Sequence, residues 1–395
     1  MERMSDARPL PTARERSSRP LRRLTSWLPV AVGAVALVVA AALAPAAARS
    51  AAAQVYAPFV LVVGLILVGL VADGDGLFAL VGHRLARLAP TGTAMFVGAA
   101  VLTAGVTAVL NLDTAVVFLT PVLVHAARSR DADPTPHVVG CLLLANAGSL
   151  LLPGSNLTNL IVLGHLHMTG NQFLHRMALP WVATVLVTTS VIGVVERRRL
   201  GSSGPVADPP DRAVIGIGLA AVVVATVFVL VLRSPAVPVA AVGIVAVAVR
   251  LSSGDLGPGR VLGVLGMRVL VALFGLAVAL GTLGRRWSGP TSLLGHVDAA
   301  GTVVVGAVAS VFVNNLPAAS LLAARTPPHP FALLIGLDVG PNLFVTGSLA
   351  WVLWWRTTRQ LGTEPPTSRA VVLGLVSAPL AMAAALALMS VTGST

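Results

Sequence analysis

The chain has 395 residues, of which 56% are hydrophobic and only 11% charged, with a formal charge of +12 and a mean hydropathy of +0.88. Such a composition cannot clothe a water-facing globule in polar surface, and it reads as a polytopic membrane protein. Every basic residue is arginine, and the arginines gather between apolar runs with no aromatic interleaving and no basic face; the charge therefore orients helices and does not mark a nucleic-acid surface.

In chain order, residues 1–26 are polar and rich in Arg and Pro, and are expected to form a disordered cytoplasmic tail. Trp27 to Ala48 reads as a retained first helix, since its apolar run is long for a signal peptide and further spans follow at once. Val55 to Ala72 comes next, then an amphipathic piece, Leu77 to Leu88, and then Thr93 to Leu110 and Thr114 to Val124. The segment Leu142 to Val162, LLLANAGSLLLPGSNLTNLIV, is apolar enough to cross a membrane yet is studded with helix breakers. Phe173 to Val195 ends the first half, residues 27–199, and the Gly-, Ser- and Pro-containing stretch within residues 200–212 is read as a cytoplasmic linker. The second half, residues 213–395, offers Ala213 to Leu232, Val237 to Val249, Val261 to Leu283, Val303 to Val313, Leu316 to Ala324, Phe331 to Trp355 and Val371 to Met389.

Two of these pieces are too short to span. Val303 to Val313 rises only about 16 Å at 1.5 Å per residue, roughly half of a ~30 Å hydrocarbon core. With Leu316 to Ala324 beyond Asn314-Asn315, it predicts a re-entrant hairpin ending near the midplane. Thr93 to Leu110 and Thr114 to Val124, hinged at Asn111-Leu112-Asp113, are ambiguous by length; analogy to the second half favours a hairpin there too. A cytoplasmic N-terminus places Arg84, Arg87, Arg128, Arg130 and Arg197 to Arg199 inside, as positive-inside orientation requires, but leaves Arg285, Arg286 and Arg325 outside.

The halves also match residue by residue. VLNLDTAVVFL (Val109 to Leu119) aligns with FVNNLPAASLL (Phe312 to Leu322), pairing Asn111 with Asn314. LANAGSLLLPGSN (Leu144 to Asn156) aligns with IGLDVGPNLFVTGSL (Ile335 to Leu349), pairing Asn146 with Asp338, Gly148 with Gly340 and Gly154-Ser155 with Gly347-Ser348. The expected fold is thus all-α and polytopic, with two inverted-topology repeats, each holding a re-entrant hairpin and a broken transmembrane helix. Unpaired backbone costs several kcal/mol per group in hydrocarbon, so a broken helix implies a protein-lined or water-filled cavity, with half-helix ends, hydroxyls and carboxamides converging on a solute.

The stretches NLDTAVVFLTPV, LLLANAGSLLLPGSNLTNL, VNNLPAASLL and IGLDVGPNLFVTGSLAWVLWW resemble the paired signatures of the ArsB-type arsenite efflux permeases, members of the ion transporter superfamily that also holds the divalent anion/sodium symporters. The resemblance runs from about Val55 onward. It implies a substrate and ion site of Asn111, Asp113, Thr114, Asn146, Gly148, Ser149, Gly154, Ser155 and Asn156 from one half. From the other half it implies Asn314, Asn315, Pro317, Asp338, Gly340, Asn342, Thr346, Gly347 and Ser348.

A carboxylate at the midplane costs ~3 kcal/mol or more unless protonated, paired or in water, so Asp113 and Asp338 are the candidate proton-coupling groups. Against this stand a helix cap for Asp113 and a hydrogen bond to exposed backbone for Asp338. Trp351, Trp354 and Trp355 beside Arg356 read as an interfacial belt, and His165, His167 and His175 as residues flanking an outer loop. Cys141 reads as a buried structural thiol.

The function expected is export of arsenite or antimonite in exchange for protons across the cell membrane. Arsenite is neutral at pH 7 and suits a site of Asn, Ser and Thr. The alternative is a sodium- or proton-coupled dicarboxylate or sulfate transporter of the same superfamily. No enzyme motif and no phosphate-binding GxxxxGK[ST] loop occurs, so any ATP use would fall to a partner ATPase. No cofactor or metal is expected; a small inorganic solute, the coupling ion, the bilayer and a second copy of the chain are the expected partners.

Overall fold

The computed structural model describes residues 13–164, 166, 168–201, 216–232 and 234–391. Residues 1–12 of the expected tail, His165 and His167, and 202–212 of the expected linker lie outside these. All regular structure among the described residues is helical. The first half contributes α1 (Ala13–Leu43), α2 (Pro45–Gly74), α3 (Leu77–Leu88), α4 (Gly92–Val109), α5 (Leu112–Arg128), α6 (Thr135–Ala147), α7 (Leu157–Leu163) and α8 (Gly170–Val195). The second contributes α9 (Ile217–Val231), α10 (Ala236–Ser252), α11 (Pro258–Leu265), α12 (Met267–Arg286), α13 (Gly289–Gly295), α14 (Ala299–Val313), α15 (Asn315–Leu322), α16 (Pro330–Val339), α17 (Leu349–Gln360) and α18 (Thr367–Val391). Five of the described helical stretches are long and apolar enough to cross a membrane by length and composition.

Two boundaries differ from the sequence expectation. Residues 13–26 continue into α1 as helix, where a disordered tail was expected. The single span expected from Val261 to Leu283 is divided at Gly266, whose φ of 56° sets off the short α11 from α12. A left-handed residue is cheap only for glycine, and here it turns a surface helix into a membrane helix.

One layer is built from α1, α2, α9, α10 and α12, in which small residues let backbones touch. A Cβ on Gly33 would lie 2.4 Å from the Ala272 carbonyl oxygen, which is why α1 seats so closely on α12 in a solvent that gives apolar side chains no drive to associate. The other layer holds α4–α8 and α14–α18. There α8 packs along α18, α14 along α16, and α5 between α6 and α17.

The two hairpins enter from opposite ends. At the base of the first, Ala86, Ala89, Met95, Ala126 and Ala127 form one apolar cluster, so the start of α4 meets the end of α5. The Arg130 guanidinium caps that base, donating to the Ala86 carbonyl at 2.9 Å and also to Ala89. Its level is that of the C-terminal end of α2, where Asp73 pairs with Arg260 at 2.6 Å. At the same end Arg128 donates to Thr363 at 2.7 Å, Asp133 pairs with Arg199 at 2.7 Å, and buried Glu196 takes Arg369 at 2.5 Å. Burial pushes the Asp133 carboxyl up, but hydrogen bonds from Thr135 and the Arg199 guanidinium outweigh it and hold it below the usual carboxylate range.

The base of the second hairpin instead reaches the N-terminal end of α2: Gln54 donates to the Ala323 carbonyl at 2.9 Å and to Ile161 at 3.0 Å. The three arginines that offend the charge rule sit at this end. Arg285 donates to the Gly281 carbonyl at 2.9 Å and to Gln54 at 2.6 Å, and Arg325 to the Arg285 carbonyl at 3.2 Å. Two of them thus cover the negative C-terminal end of α12, a favourable place for a cation on either side of a membrane.

Candidate functional site

The first hairpin turns on Asn111, wholly buried, whose Oδ1 accepts from the Thr114 amide at 2.6 Å. The alternative role weighed for Asp113, a helix cap, therefore falls to Asn111, and Asp113 Oδ1 is left without a protein partner. The second hairpin turns on Asn314 at φ 72°. Its Oδ1 accepts from the Leu316 amide at 3.4 Å, and the Asn315 amide is bound to the Gly347 carbonyl at 2.9 Å.

Both helices expected to break do so. α6 gives way to one-turn 3₁₀ pieces at Gly148–Leu150 and Pro153–Ser155 before α7 resumes at Leu157. α16 gives way at Gly340–Leu343, followed by extended backbone at Phe344, before α17 begins at Leu349.

The two tips and the two helix restarts meet. Asp113, Asn156, Asn314, Asn315 and Ser348, with Leu112, Leu157, Leu273, Leu316 and Leu349, enclose a cavity of about 10 Å³, room for about one water. A second cavity of about 310 Å³ begins at Asp113 and Leu349 and widens past Val117, Leu353, Thr357 and Gln360 to Arg260 and Arg356. Asp113 is thus the floor of a vestibule that opens at the end carrying the first hairpin's base.

Asp338 is placed differently. It is fully enclosed where the broken helices cross, its Oδ1 accepting from Asn156 Nδ2 at 2.9 Å and from the Thr158 hydroxyl. Asn156 also donates to Ser149 at 3.2 Å and caps the Thr158 amide at 3.2 Å. Asp338 therefore reaches the small cavity through Asn156, and its Oδ2 has no protein partner. The alternative weighed for Asp338, a bond to exposed backbone, is not found among the described residues; its hydrogen-bond partners are side chains of the other half. Asn146 and Asn342 form a separate pair, Asn146 Nδ2 donating to Asn342 Oδ1 at 2.9 Å and Asn342 Nδ2 to the Leu143 carbonyl at 2.9 Å.

The remaining expected residues do other work. Gly148 and Gly340 let the hairpins press on the breaks: a Cβ would lie 3.1 Å from Ala104 Cα in the first half and 2.5 Å from Ala307 Cα in the second. Gly154 faces Val229, Ser155 ties the break to hairpin 1 through the Ala108 carbonyl at 2.9 Å, and Gly347 accepts from Asn315. Thr346 is exposed and donates to the Val311 carbonyl at 2.5 Å, and Pro317 is buried in the first turn of α15.

The tryptophans depart from expectation. Trp351 and Trp354 are buried, and only Trp355, 42% exposed, resembles a belt residue. Trp351 donates its indole N–H to the Pro341 carbonyl at 2.8 Å and Trp354 to Val138 at 2.8 Å, while Trp181 does the same for Gly148 at 2.9 Å and Thr184 for Ala147 at 2.8 Å. Asn159 Nδ2 covers Ser149 at 2.8 Å and Leu152 at 3.1 Å. Of these carbonyls, Ala147, Gly148, Ser149 and Leu152 lie at the first break and Pro341 at the second, while Val138 lies within α6; those at the breaks are met by indoles, a carboxamide and a hydroxyl, as hydrocarbon demands. Around the tips, four buried side-chain atoms have no protein partner: Asn111 Nδ2, Asp113 Oδ1, Thr114 Oγ1 and Ser348 Oγ.

A model of the CitMHS citrate transporter family matches residues 20–350. An arsenical pump membrane protein of Escherichia coli is 24% identical over 332 residues, spanning 75% of this chain and 77% of its own. One from Yersinia enterocolitica is 24% identical over 334 residues with the same shares. Among solved structures, the Alcanivorax borkumensis YdaH transporter, described as having an unusual topology, superposes with a TM-score of 0.50 at 17% identity over 84% of each chain, a likeness of fold.

Proposed function

The chain belongs to the CitMHS citrate transporter family, and from that premise we propose that it is a multi-pass cell-membrane secondary transporter that exports arsenite or antimonite in exchange for protons. One observation carries the reading. Both hairpin tips and both helix restarts converge on one small cavity, where polar side chains of the tips meet five leucines, with Asp113 standing between it and a vestibule. The cavity has room for about one water, so a solute would be held there only with the tips parted; apart from Asp113, the polar groups around it are uncharged, which suits a neutral trihydroxide. Similarity to arsenical pump membrane proteins over three quarters of the chain supports the same substrate.

Asp113 is the proposed coupling group, since it alone of the two aspartates lines the vestibule, and Asp338 a second, with Oδ2 able to carry a proton. Asn111, Thr114, Asn156, Asn314, Asn315 and Ser348 complete the solute site. The arginine-rich end, holding the first hairpin's base, is assigned to the cytoplasm, so the vestibule faces inward and ATP is required only if a partner ATPase drives it.

A specific feature favours a second reading. Arg356 lines the vestibule with Arg260, whose charge Asp73 offsets, and a guanidinium without an ion pair among the described residues on an entry path would concentrate an anion such as a tricarboxylate. Inverted vesicles with an imposed pH gradient separate the readings. Gradient-driven accumulation of arsenite but not citrate supports the first; citrate movement without arsenite movement overturns it, and dependence on sodium in place of the pH gradient removes proton exchange.

A further inference from the structure

At the end of the molecule opposite the vestibule lies a cavity of about 900 Å³ that the transport reading does not use. It runs between the N-terminal half of α2, α7, the start of α8, the turn from α9 to α10 and the end of α12. Its lining is mostly apolar, with Ala57, Leu61, Leu160, Leu163 and Val229 prominent. The polar side chains among the lining residues, Ser50, Gln54, Ser234 and Arg285, come from the start of α2, the turn from α9 to α10 and the end of α12.

Arg285 is half-buried, and the groups that receive its N–H bonds are all neutral: the Gly281 carbonyl at 2.9 Å, Gln54 Oε1 at 2.6 Å and the Ser50 carbonyl at 3.4 Å. Among the described residues no carboxylate lies within ion-pair distance of it. Neutral acceptors satisfy hydrogen bonds but leave the charge in place.

The depth is informative. From Ser50 at the rim to Leu61 at the floor, α2 climbs about 16 Å at 1.5 Å per residue, close to half of a ~30 Å hydrocarbon core, the thickness of one leaflet. An apolar slot one leaflet deep, closed at the interface by an unneutralised guanidinium, matches one molecule: an anionic phospholipid. We infer that this cavity binds such a lipid, one acyl chain between α2, α7 and α9 and its phosphate on Arg285. The guanidinium hydrogens not given to Gly281, Gln54 and Ser50 can donate to a phosphate oxygen, a charge-assisted bond.

Native mass spectrometry of the full chain from nanodiscs tests this, using vesicle-derived mixtures of phosphatidylglycerol and phosphatidylethanolamine. Retained phosphatidylglycerol is expected, with Arg285→Gln lowering its retention relative to phosphatidylethanolamine about tenfold, the ratio corresponding to a charged hydrogen bond of ~1.5 kcal/mol. Arg285→Lys should keep part of the selectivity, and Ala57→Trp, which fills the slot, should expel lipid of either headgroup. Equal retention of the two lipids, or retention unaffected by both Arg285→Gln and Ala57→Trp, overturns the inference. So does displacement of the lipid by inorganic phosphate alone, which would make the site one for the free ion. None of these readouts depends on what the protein transports.

Discussion

Asp338 offers the sharpest separation of a structural role from a coupling role. Its Oδ1 receives two donors, Asn156 Nδ2 at 2.9 Å and the Thr158 hydroxyl, in a place with no exposure. Asp338→Leu removes the acceptor and strands both donors, at ~1–3 kcal/mol each, so a loss of ~2–6 kcal/mol of stability is expected. Asp338→Asn keeps an oxygen at the same position and, with its amide turned toward the site of Oδ2, should hold stability within about 1 kcal/mol while removing the only titratable group at the crossing. Thermal unfolding of the detergent-purified variants measures the first quantity; pH-gradient-driven uptake into inverted vesicles measures the second. The expected pattern is a folded, uncoupled Asn variant and an unstable Leu variant. An Asn variant that still accumulates solute with the wild-type response to the pH gradient would refute the coupling role and leave Asp338 as a clamp on Asn156. A Leu variant as stable as wild type would refute the hydrogen-bond accounting itself.

Other substitutions probe separate parts of the site. Asp113→Asn should abolish gradient-driven export with no loss of folded protein. With wild-type exchange of one proton for one neutral solute, each imposed pH unit supports up to a tenfold solute ratio, and a variant that still follows that slope excludes Asp113 as the coupler. Arg356→Gln distinguishes substrates: initial rates for a polyvalent anion should fall severalfold and steepen less with falling salt, while arsenite rates should not change, and equal effects on both contradict a steering role. A methyl on Gly374 of α18 would fall 1.8 Å from the Asn342 carbonyl, so Gly374→Ala should cost ~1–3 kcal/mol by overpacking and depress transport, whereas Ala at Gly105, which meets nothing, should be silent in the same thermal assay. Trp181→Phe leaves the Gly148 carbonyl without its indole donor and should lower the melting temperature by the equivalent of ~1–3 kcal/mol; an unchanged melt removes the claim that indoles sustain the break.

The interruptions were legible in the sequence because they violate what hydrocarbon requires. Asn314-Asn315 sits between pieces too short to span, and Gly, Pro and Asn crowd Ala147 to Asn156; each is costly in lipid and so points to a cavity. The hairpin assignment of α4 and α5 needed the second half as a guide, since α4 on its own is as long and apolar as a full span. Tryptophans beside Arg356 look like interface anchors in one dimension, and only the packing of α17 against α6 turns Trp351 and Trp354 inward. Gly374 gave no signal, being one glycine in an apolar helix whose need arises from a backbone 32 residues away in sequence. The vestibule was equally invisible, because α2, α5, the consecutive α11 and α12, and α17 contribute to it from four separate stretches.

Each half holds a hairpin and a broken helix, and the two differ in where they carry charge at the cavity. Hairpin 1 carries Asp113 where hairpin 2 carries Leu316, and the second broken helix carries Asp338 where the first carries Asn146. Each half thus supplies one carboxylate, but from a different element. Since the carbonyls released by the first break are bound to Trp181, Thr184 and Asn159, and Pro341 in the second to Trp351, the breaks shape the pocket more than they coordinate what enters it. In the proposed site, discrimination among solutes would then rest on a few side chains at the tips, with Asp113 the one charged group among them. A site so arranged can change substrate or coupling ion by substitution at Asp113, Ser348 or Asn315 without disturbing the indole and carboxamide bonds that make an interrupted helix tolerable in a membrane.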